Sequence, residues 1–348
     1  MSSEAQRVLI RSAGGLDRLE LAPAEAPPPQ AGEVRIAVEA AGVNYADTIV
    51  RRGLYASAKE LVGWPITPGF EVAGRIEDVG PGVEGFAPGD RVFGLTLFGG
   101  YTQRLTLPAD QVFHLPDSLS MAQGAAILVV WLTAWYALFE LAHPRPGQTL
   151  LVHSAAGGAG GSIVQLGKLA GCRVVGIVGR AEKVAEARAL GADEVICKAT
   201  DDLWAKAKAL APQGYDVVLD ATGVETLKES YAHLRRPGKL VVYGFASMMP
   251  KGGRTNWLKL IAGVLRTPRF HPLKMTNLSS SVMAFNLSYL FDQKEILMDG
   301  VRQLLGWLAE GKLQVPTVSE FALSQVGEAH AAIESGRTVG KLVLVSPR

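Results

Sequence analysis

The residues whose types and spacing are best suited to chemistry lie between Gln148 and Arg180. An apolar run, Thr149 to His153, meets the loop SAAGGAGG at Ser154 to Gly161; a helical pattern follows, and a second apolar run closes on GIVGR. Glycines at Gly157, Gly158 and Gly160 let the backbone turn tightly and approach a pyrophosphate, whose charge is favoured by the free N–H groups and positive end of the following helix. This is the chemistry of dinucleotide binding in a βαβ unit, and the strand before and helix after supply the context that a bare glycine-rich loop lacks. Ser154, Ala156, Gly157, Gly158, Ala159 and Gly160 are therefore candidate cofactor contacts.

The end of the second run bears on which dinucleotide. A site selecting NAD usually places an acidic side chain there for the ribose hydroxyls, whereas a 2′-phosphate needs cations. Here Gly179 and Arg180 end the run, Lys183 begins the next helix, and no Asp or Glu stands at the strand end. A phosphate would gain charge-assisted hydrogen bonds from Arg180 and Lys183; a solvated helix-start role competes for Arg180, and an exposed helix face paired with Glu182 or Glu186 for Lys183. The expected cofactor is NADPH.

These residues need a scaffold, and 348 residues are long for one core, so two domains are expected. The part up to Gln123 breaks short β-like runs with Gly and Pro, as a small barrel-like β domain does. From Gly124, strands and helices alternate through TLLVHS, GSIVQLGKLAG, RVVGIV, AEKVAEARALGA, DEVIC, YDVVLDA and GKLVVYG, which predicts a doubly wound parallel sheet of α/β class. The expected boundaries are 1–123 for the β domain, completed by 291–348, and 124–290 for the nucleotide domain. SVMAFNLSYL reads as a last strand of the same sheet, followed by a helix from Glu295 to Leu308 and a final strand GKLVLV.

Composition narrows the function classes. Lys and Arg number 35 against 33 Asp and Glu, so overall charge favours neither nucleic acid nor membrane as the main partner. Cys172 and Cys197 are too few for a disulfide framework or a cysteine-rich zinc site. With no apolar core or cleavage site in MSSEAQRVLIRSAG, a cytoplasmic location is expected. The apolar segment Ala125 to Leu141 is shorter than the roughly 20 residues a bilayer core needs and reads as a buried helix.

Four motifs, AAGVNYADTIVRRGLY, PGFEVAGRIEDVG with PGDRV, LVHSAAGGAGGSIVQLGKLAG and the closing VGKLVLV, resemble the zinc-independent quinone oxidoreductase branch of the medium-chain dehydrogenase/reductase superfamily. The match covers nearly the whole chain, and the stretch from Met248 to Leu290 looks most like the vesicle amine transport protein subgroup. The resemblance implies a Rossmann sheet plus a GroES-like β-barrel and a homodimer. Where the zinc enzymes carry a metal-binding cysteine this chain has Asn44, and where they carry a histidine before the glutamate it has Phe70 before Glu71. Neither binds zinc well, so no metal is expected. Further cofactor contacts implied by resemblance are Thr133, Gly223, Gly244, Phe245, Phe285 and Asn286, with Lys198 where similar proteins put a tyrosine beside the phosphate; for Phe285, core packing is the competing reading.

Without zinc, the protein holds the nicotinamide against an electrophilic carbon and excludes water. Hydride addition to a quinone or other α,β-unsaturated carbonyl leaves an anion that wants a hydrogen-bond donor or a proton. The candidate catalytic residues are Asn44, Asp47 and Tyr55, with Asn44 and Tyr55 as donors and Asp47 orienting their loop. A turn-forming role competes for Asn44 and an aromatic-filler role for Tyr55. The expected activity is hydride transfer in a cleft between the domains, with a 2-enoyl thioester reductase, or a nucleotide-binding interaction or membrane-associated protein with weak catalysis, as alternatives. No residue between Ser230 and Phe291 is acidic, while Lys251, Arg254, Lys259, Arg266, Arg269 and Lys274 accumulate there. Asn256 to Arg266 could form a basic amphipathic helix, read as a lid or an interface before a membrane contact.

Overall fold

The computed structural model describes residues 5–249 and 257–346. It divides into two compact units, one of residues 5–129 with 315–346 and one of 130–249 with 257–314 among those described.

In the first unit, β1 (Gln6–Leu9) and β2 (Glu20–Pro23) pair as a ribbon. The central strand of the larger sheet is β3 (Glu33–Val43), which pairs antiparallel with β4 (Glu71–Val79); β5 (Arg91–Leu95) and β7 (Val112–His114) extend the sheet beyond β4, and β6 (Arg104–Pro108) also pairs with β3. Alternation sets the register. Val34, Ile36 and Val38 of β3 point into the core beside Val72, Ile76, Val92 and Leu107, while the intervening Arg35 and Glu39 ion-pair with Glu77 and Arg75 at the periphery.

The second unit is a six-stranded parallel sheet. Its strands are β8 (Thr149–His153), β9 (Arg173–Val178), β10 (Glu194–Cys197), β11 (Tyr215–Asp220), β12 (Leu234–Val242) and β13 (Ser280–Ala284), in the spatial order β10-β9-β8-β11-β12-β13. Runs such as LLV, VVGIV and YDVVLD are buried almost throughout because helices cover both faces. The order reverses between β8 and β11, and ligands of such sheets bind at the carboxyl ends of the strands flanking that point. Gly171 and Gly191 end their helices with φ of +74° and +106°.

The chain then returns to the first unit, where β14 (Val318–Ala322) lies parallel to β15 (Lys341–Val345) and β15 runs antiparallel to β3, Leu342 opposite Val43. This division departs from the expected one at both ends. It begins the second unit at 130 rather than 124, and it keeps the helix Lys294–Ala309 there instead of returning at 291. The cause is packing. A Cβ on Gly300 would stand 2.8 Å from the side chains of Leu132 and Trp135, and Trp135 Nε1 donates to Gln303 Oε1 at 3.2 Å.

The helical stretch Met121–Ala142 is long and apolar enough to cross a membrane, yet 67% of its most apolar window is buried in the protein, with Trp131 and Trp135 among the most deeply buried side chains. A core helix accounts for it. The helix Trp257–Arg266 is different, for Trp257, Leu258 and Leu265 are 63%, 80% and 77% exposed. Lys251, Arg254 and Asn256, and the side chain of Lys259, lie outside the described residues.

Candidate active site

Two groups of residues deserve a chemical reading, one in each unit. In the second unit, β8 runs into the glycine loop, where Ser154 takes a φ of +57° and Gly157 N donates back to Ser154 O at 2.9 Å. The helix Gly158–Leu169 starts at once from Gly157, with no side-chain cap and no acidic residue in its first turn. A Cβ on Gly160 would fall 2.2 Å from Ser154 O, so only glycine lets the helix start this close to the strand end. The result is a helix N-terminus whose first N–H groups have no side-chain acceptor, which fits the pyrophosphate of a dinucleotide.

Arg180, Lys183 and Lys198 gather beside this loop by strand order. In the parallel pairing of β9 with β10, Val178 stands opposite Cys197, and Lys198 N donates to Val178 O at 2.9 Å, so Arg180 and Lys198 leave neighbouring strands at the same end. No carboxylate among the described residues ion-pairs with any of the three. Burial, joined by the charge of Arg180, lowers the pKa of Lys183 against the opposing pull of Glu182. Gly179 has open space where a side chain would project. Such a set of cations, without an ion-pair partner among the described residues, fits a phosphate monoester.

A residue that sequence reasoning missed organises the switch point. Asp220, fully buried at the end of β11, accepts from Thr222 N at 2.8 Å, Gly223 N at 2.9 Å, and the hydroxyls of Thr226 and Ser230 at 2.7 Å each. His153 at the end of β8 sits between Thr222 Oγ1 and Ser230 Oγ, both 3.2 Å away, and burial lowers its pKa despite the Asp220 carboxylate 3.8 Å off. It is a packed, hydrogen-bonded histidine. Gly223 (φ +85°) and Gly244 lie where the ends of β11 and β12 approach; a Cβ on the first would meet Phe245 at 2.7 Å and on the second Ala221 O at 2.9 Å. Phe285 packs on Tyr136, with ring centroids 5.0 Å apart, and Asn286 Oδ1 accepts from Ser288 N at 3.0 Å. Thr133 lies in the helix Leu128–Trp135, half-buried.

In the first unit, Asn44 precedes the helix Tyr45–Arg51, and its backbone N–H donates to Asp47 Oδ2 at 2.7 Å. Its side chain turns to Glu71 and Lys341. Asn44 Nδ2 donates to Glu71 Oε1 at 3.1 Å, while Lys341 Nζ donates to Asn44 Oδ1 at 2.5 Å and to Glu71 Oε1 at 2.6 Å. Val129 N satisfies Glu71 Oε2 at 2.9 Å. A Cβ on Gly42 would come within 2.5 Å of Glu71 Oε1, so the glycine makes room for the carboxylate.

Asp47 is fully buried and accepts from Gly69 N and Tyr101 Oη, each at 2.9 Å. Behind it runs a directed chain of donors. Arg51 Nη1 has only hydrogens to give, so His330 Nδ1, 3.3 Å away, is the acceptor; His330 Nε2 then carries the proton toward Tyr101 Oη at 3.4 Å, and Tyr101 donates to Asp47. Burial pushes Asp47 up to about 6 and, with Arg51 and Arg52 nearby, pushes His330 down to about 3. Such burial gives Asp47 the work of fixing the Asn44 backbone and the Gly69 turn.

Tyr55 belongs to another cluster. Its ring lies 6.0 Å from Phe70 and 6.3 Å from Phe98, beside Ile10, Val50 and Ile66. The structure thus joins Asn44 to Asp47 directly and sets Tyr55 against Phe70, the residue before Glu71. Glu71, Lys341, Tyr101 and His330 were not anticipated as members of the site; the only sequence signal for Lys341 was its place in the closing VGKLVLV.

The residues around Asn44 do not fit a zinc ion. The donors are one amide and one carboxylate, with an ammonium within 2.6 Å of both that would repel a second cation, and Phe70 is packed among aromatic rings. Among the described residues no group of three or more His, Cys, Asp and Glu side chains could hold a metal ion.

Comparisons with known proteins agree with both units. Residues 30–117 match the alcohol dehydrogenase GroES-like domain and residues 190–344 the zinc-binding dehydrogenase family. The human synaptic vesicle membrane protein VAT-1 homolog is 32% identical over 345 residues, covering 97% of this chain and 86% of its own length. The crystal structure of Escherichia coli quinone oxidoreductase complexed with NADPH superposes with a TM-score of 0.84 at 28% identity, over 98% of this chain and 100% of that one. A Pseudomonas syringae quinone oxidoreductase gives 0.83 at 31% identity, over 98% and 99%.

Proposed function

The chain belongs to the medium-chain dehydrogenase/reductase superfamily of oxidoreductases, and from that premise we propose that it is an NADPH-dependent, zinc-independent reductase of quinones or other α,β-unsaturated carbonyls. The observation that carries the reading is the set at Asn44: an amide held between a carboxylate and an ammonium, where metal-assisted alcohol oxidation would need thiolate or imidazole ligands. Conjugated acceptors are already polarised and need a donor for the oxygen that gains charge rather than a Lewis acid.

When bound, the nicotinamide supplies the hydride. The chain's own residues do the rest. The uncapped start of the helix Gly158–Leu169 holds the pyrophosphate, and Arg180, Lys183 and Lys198 hold the 2′-phosphate. Asn44 Nδ2 donates to the acceptor's carbonyl oxygen as negative charge builds there, Asp47 keeps the Asn44 backbone in place, and Tyr55 contributes a hydroxyl at the rim of the aromatic cluster. The proton that completes the reduction comes from Tyr55 or from solvent.

We place the protein in the cytoplasm, consistent with two buried, unpaired cysteines. We read the assembly as a homodimer that covers the exposed apolar helix Trp257–Arg266 and the open edge of β13. Sedimentation at micromolar concentration should give twice the chain mass; a monomer that floats with anionic vesicles would contradict this.

A panel of quinones, simple enones and 2-enoyl thioesters, followed by NADPH absorbance, tests the activity. Turnover of quinones and enones supports the reading, and turnover confined to thioesters overturns the substrate class.

A further inference from the structure

The proposed reaction requires a strong hydrogen-bond donor facing the acceptor oxygen, and a neutral amide is a modest one. We infer that Lys341 is a positioning residue of that reaction: it fixes the orientation of the Asn44 amide and polarises it, so that the second hydrogen on Nδ2 is presented as a strengthened donor. The inference rests on the reading of Asn44 as acceptor-facing.

The orientation follows from the donor inventory. An ammonium has only hydrogens to offer, so the Asn44 atom 2.5 Å from Lys341 Nζ is the oxygen. A carboxylate only accepts, so the atom facing Glu71 Oε1 at 3.1 Å is the nitrogen. Both partners therefore select the same rotamer of the amide. An amide nitrogen carries two hydrogens, and one is taken by Glu71; the other has no acceptor among the described residues, although Asn44 is only 8% exposed. Nearly buried polar hydrogens are normally hydrogen-bonded, so this is the hydrogen assigned to the acceptor oxygen.

Polarisation follows from the same contact. A cation on the amide oxygen draws electron density from nitrogen and strengthens its remaining N–H, an effect of about 10–30% per bond in a chain of hydrogen bonds. Burial keeps that influence from being screened, since the side chains of Lys341 and Glu71 are 3% and 0% exposed. Glu71 balances the ammonium, and with its second oxygen taken by Val129 N it cannot rotate away. A buried ion pair adds little net stability over an apolar replacement, so a role in aiming Asn44 accounts for a lysine at this place better than stability does.

The test uses Lys341→Met, Lys341→Arg, Lys341→Gln, Asn44→Ala and the Lys341→Met/Asn44→Ala double variant, with NADPH saturating and 1,4-naphthoquinone and a simple cyclic enone as acceptors. Lys341→Met should lower kcat by about ten- to a hundredfold, less than the roughly hundred- to thousandfold that outright loss of an oxyanion donor costs, with KM changed less than about threefold. The loss should be larger for the enone, whose anion is less stable, than for the quinone. Lys341→Arg should recover most of the activity, and Lys341→Met should add little on the Asn44→Ala background, because Lys341 acts through the Asn44 amide. Melting temperature and NADPH affinity report folding independently of turnover. If Lys341→Met does not fold, Arg against Gln decides: equal kcat in these two overturns the inference, as does full kcat in Lys341→Met or additivity in the double variant. Full turnover in Asn44→Ala overturns the reading of Asn44 itself; a disabled Asn44→Ala beside fully active Lys341 variants overturns only the role of Lys341.

Discussion

Arg51 and Glu334 form a buried ion pair, with Nη2 2.5 Å from Oε1, that ties the helix following Asn44 to the helix Val326–Glu334 across 283 residues of sequence. Arg52 shares the same oxygen at 3.0 Å. Removing the one carboxylate leaves two buried guanidinium groups facing each other. Glu334→Ala is therefore expected to lose about 3–5 kcal/mol of stability, the usual cost of breaking a buried pair from one side, and urea unfolding measures it. A loss below about 1 kcal/mol would mean that water reaches the pair.

The same helix carries a pH dependence whose sign can be worked out. His330 titrates in the folded chain at about 3 rather than 6.5, so it contributes stability that is complete above about 6.5 and disappears as pH falls toward 3. Asp47, raised from 3.8 to about 6, acts oppositely, favouring the fold below about 4 and losing that contribution as pH rises through 6. In the wild type the two largely cancel between pH 4 and 6. His330→Gln should expose the Asp47 dependence, so that stability falls as pH rises from 4 to 6, by up to about 1.4 kcal/mol per pH unit. Urea midpoints at pH 4, 5 and 6 report it, and parallel profiles for variant and wild type would contradict the assignment.

Arg180→Ala combined with Lys183→Ala should weaken NADPH binding by about ten- to a hundredfold while leaving NADH within about threefold, since a hydrogen bond to a charged group contributes about 1.5–3 kcal/mol. Lys198→Ala should act in the same direction with a smaller effect. Fluorescence titration with both cofactors separates the outcomes, and equal losses would remove the 2′-phosphate from this corner.

Gly160→Ala places a Cβ 2.2 Å from Ser154 O, a backbone atom that cannot step aside. The strand end and helix start must then part, at about 1–3 kcal/mol, and the pyrophosphate cradle opens. Calorimetry should show the lower melting temperature and titration the loss of NADPH affinity; a variant with unchanged affinity would place the pyrophosphate elsewhere.

Features that depend on neighbours in sequence were legible from the residues. The glycine loop, the alternating strands and helices from TLLVHS to GKLVVYG, and the amphipathic helix ending at Arg266 are local patterns, and the structure contains them. Features that depend on long-range convergence were not. Lys341 reaches Asn44 only because β15 pairs with β3, and Asp220 looks like an ordinary strand-end residue until His153, Thr226 and Ser230 close around it. The helix Lys294–Ala309, expected with the residues that complete the first unit, packs in the second; Gly300 against Trp135 is a packing relation no local pattern displays.

The central claim is an NADPH-dependent reduction that needs no metal, and one assay addresses it most directly: steady-state NADPH oxidation with 1,4-naphthoquinone after exhaustive dialysis against EDTA and 1,10-phenanthroline. The account predicts turnover unchanged by chelation and not increased by added zinc. Activity abolished by the chelators and restored by zinc, or no turnover with any quinone or enone, would contradict it.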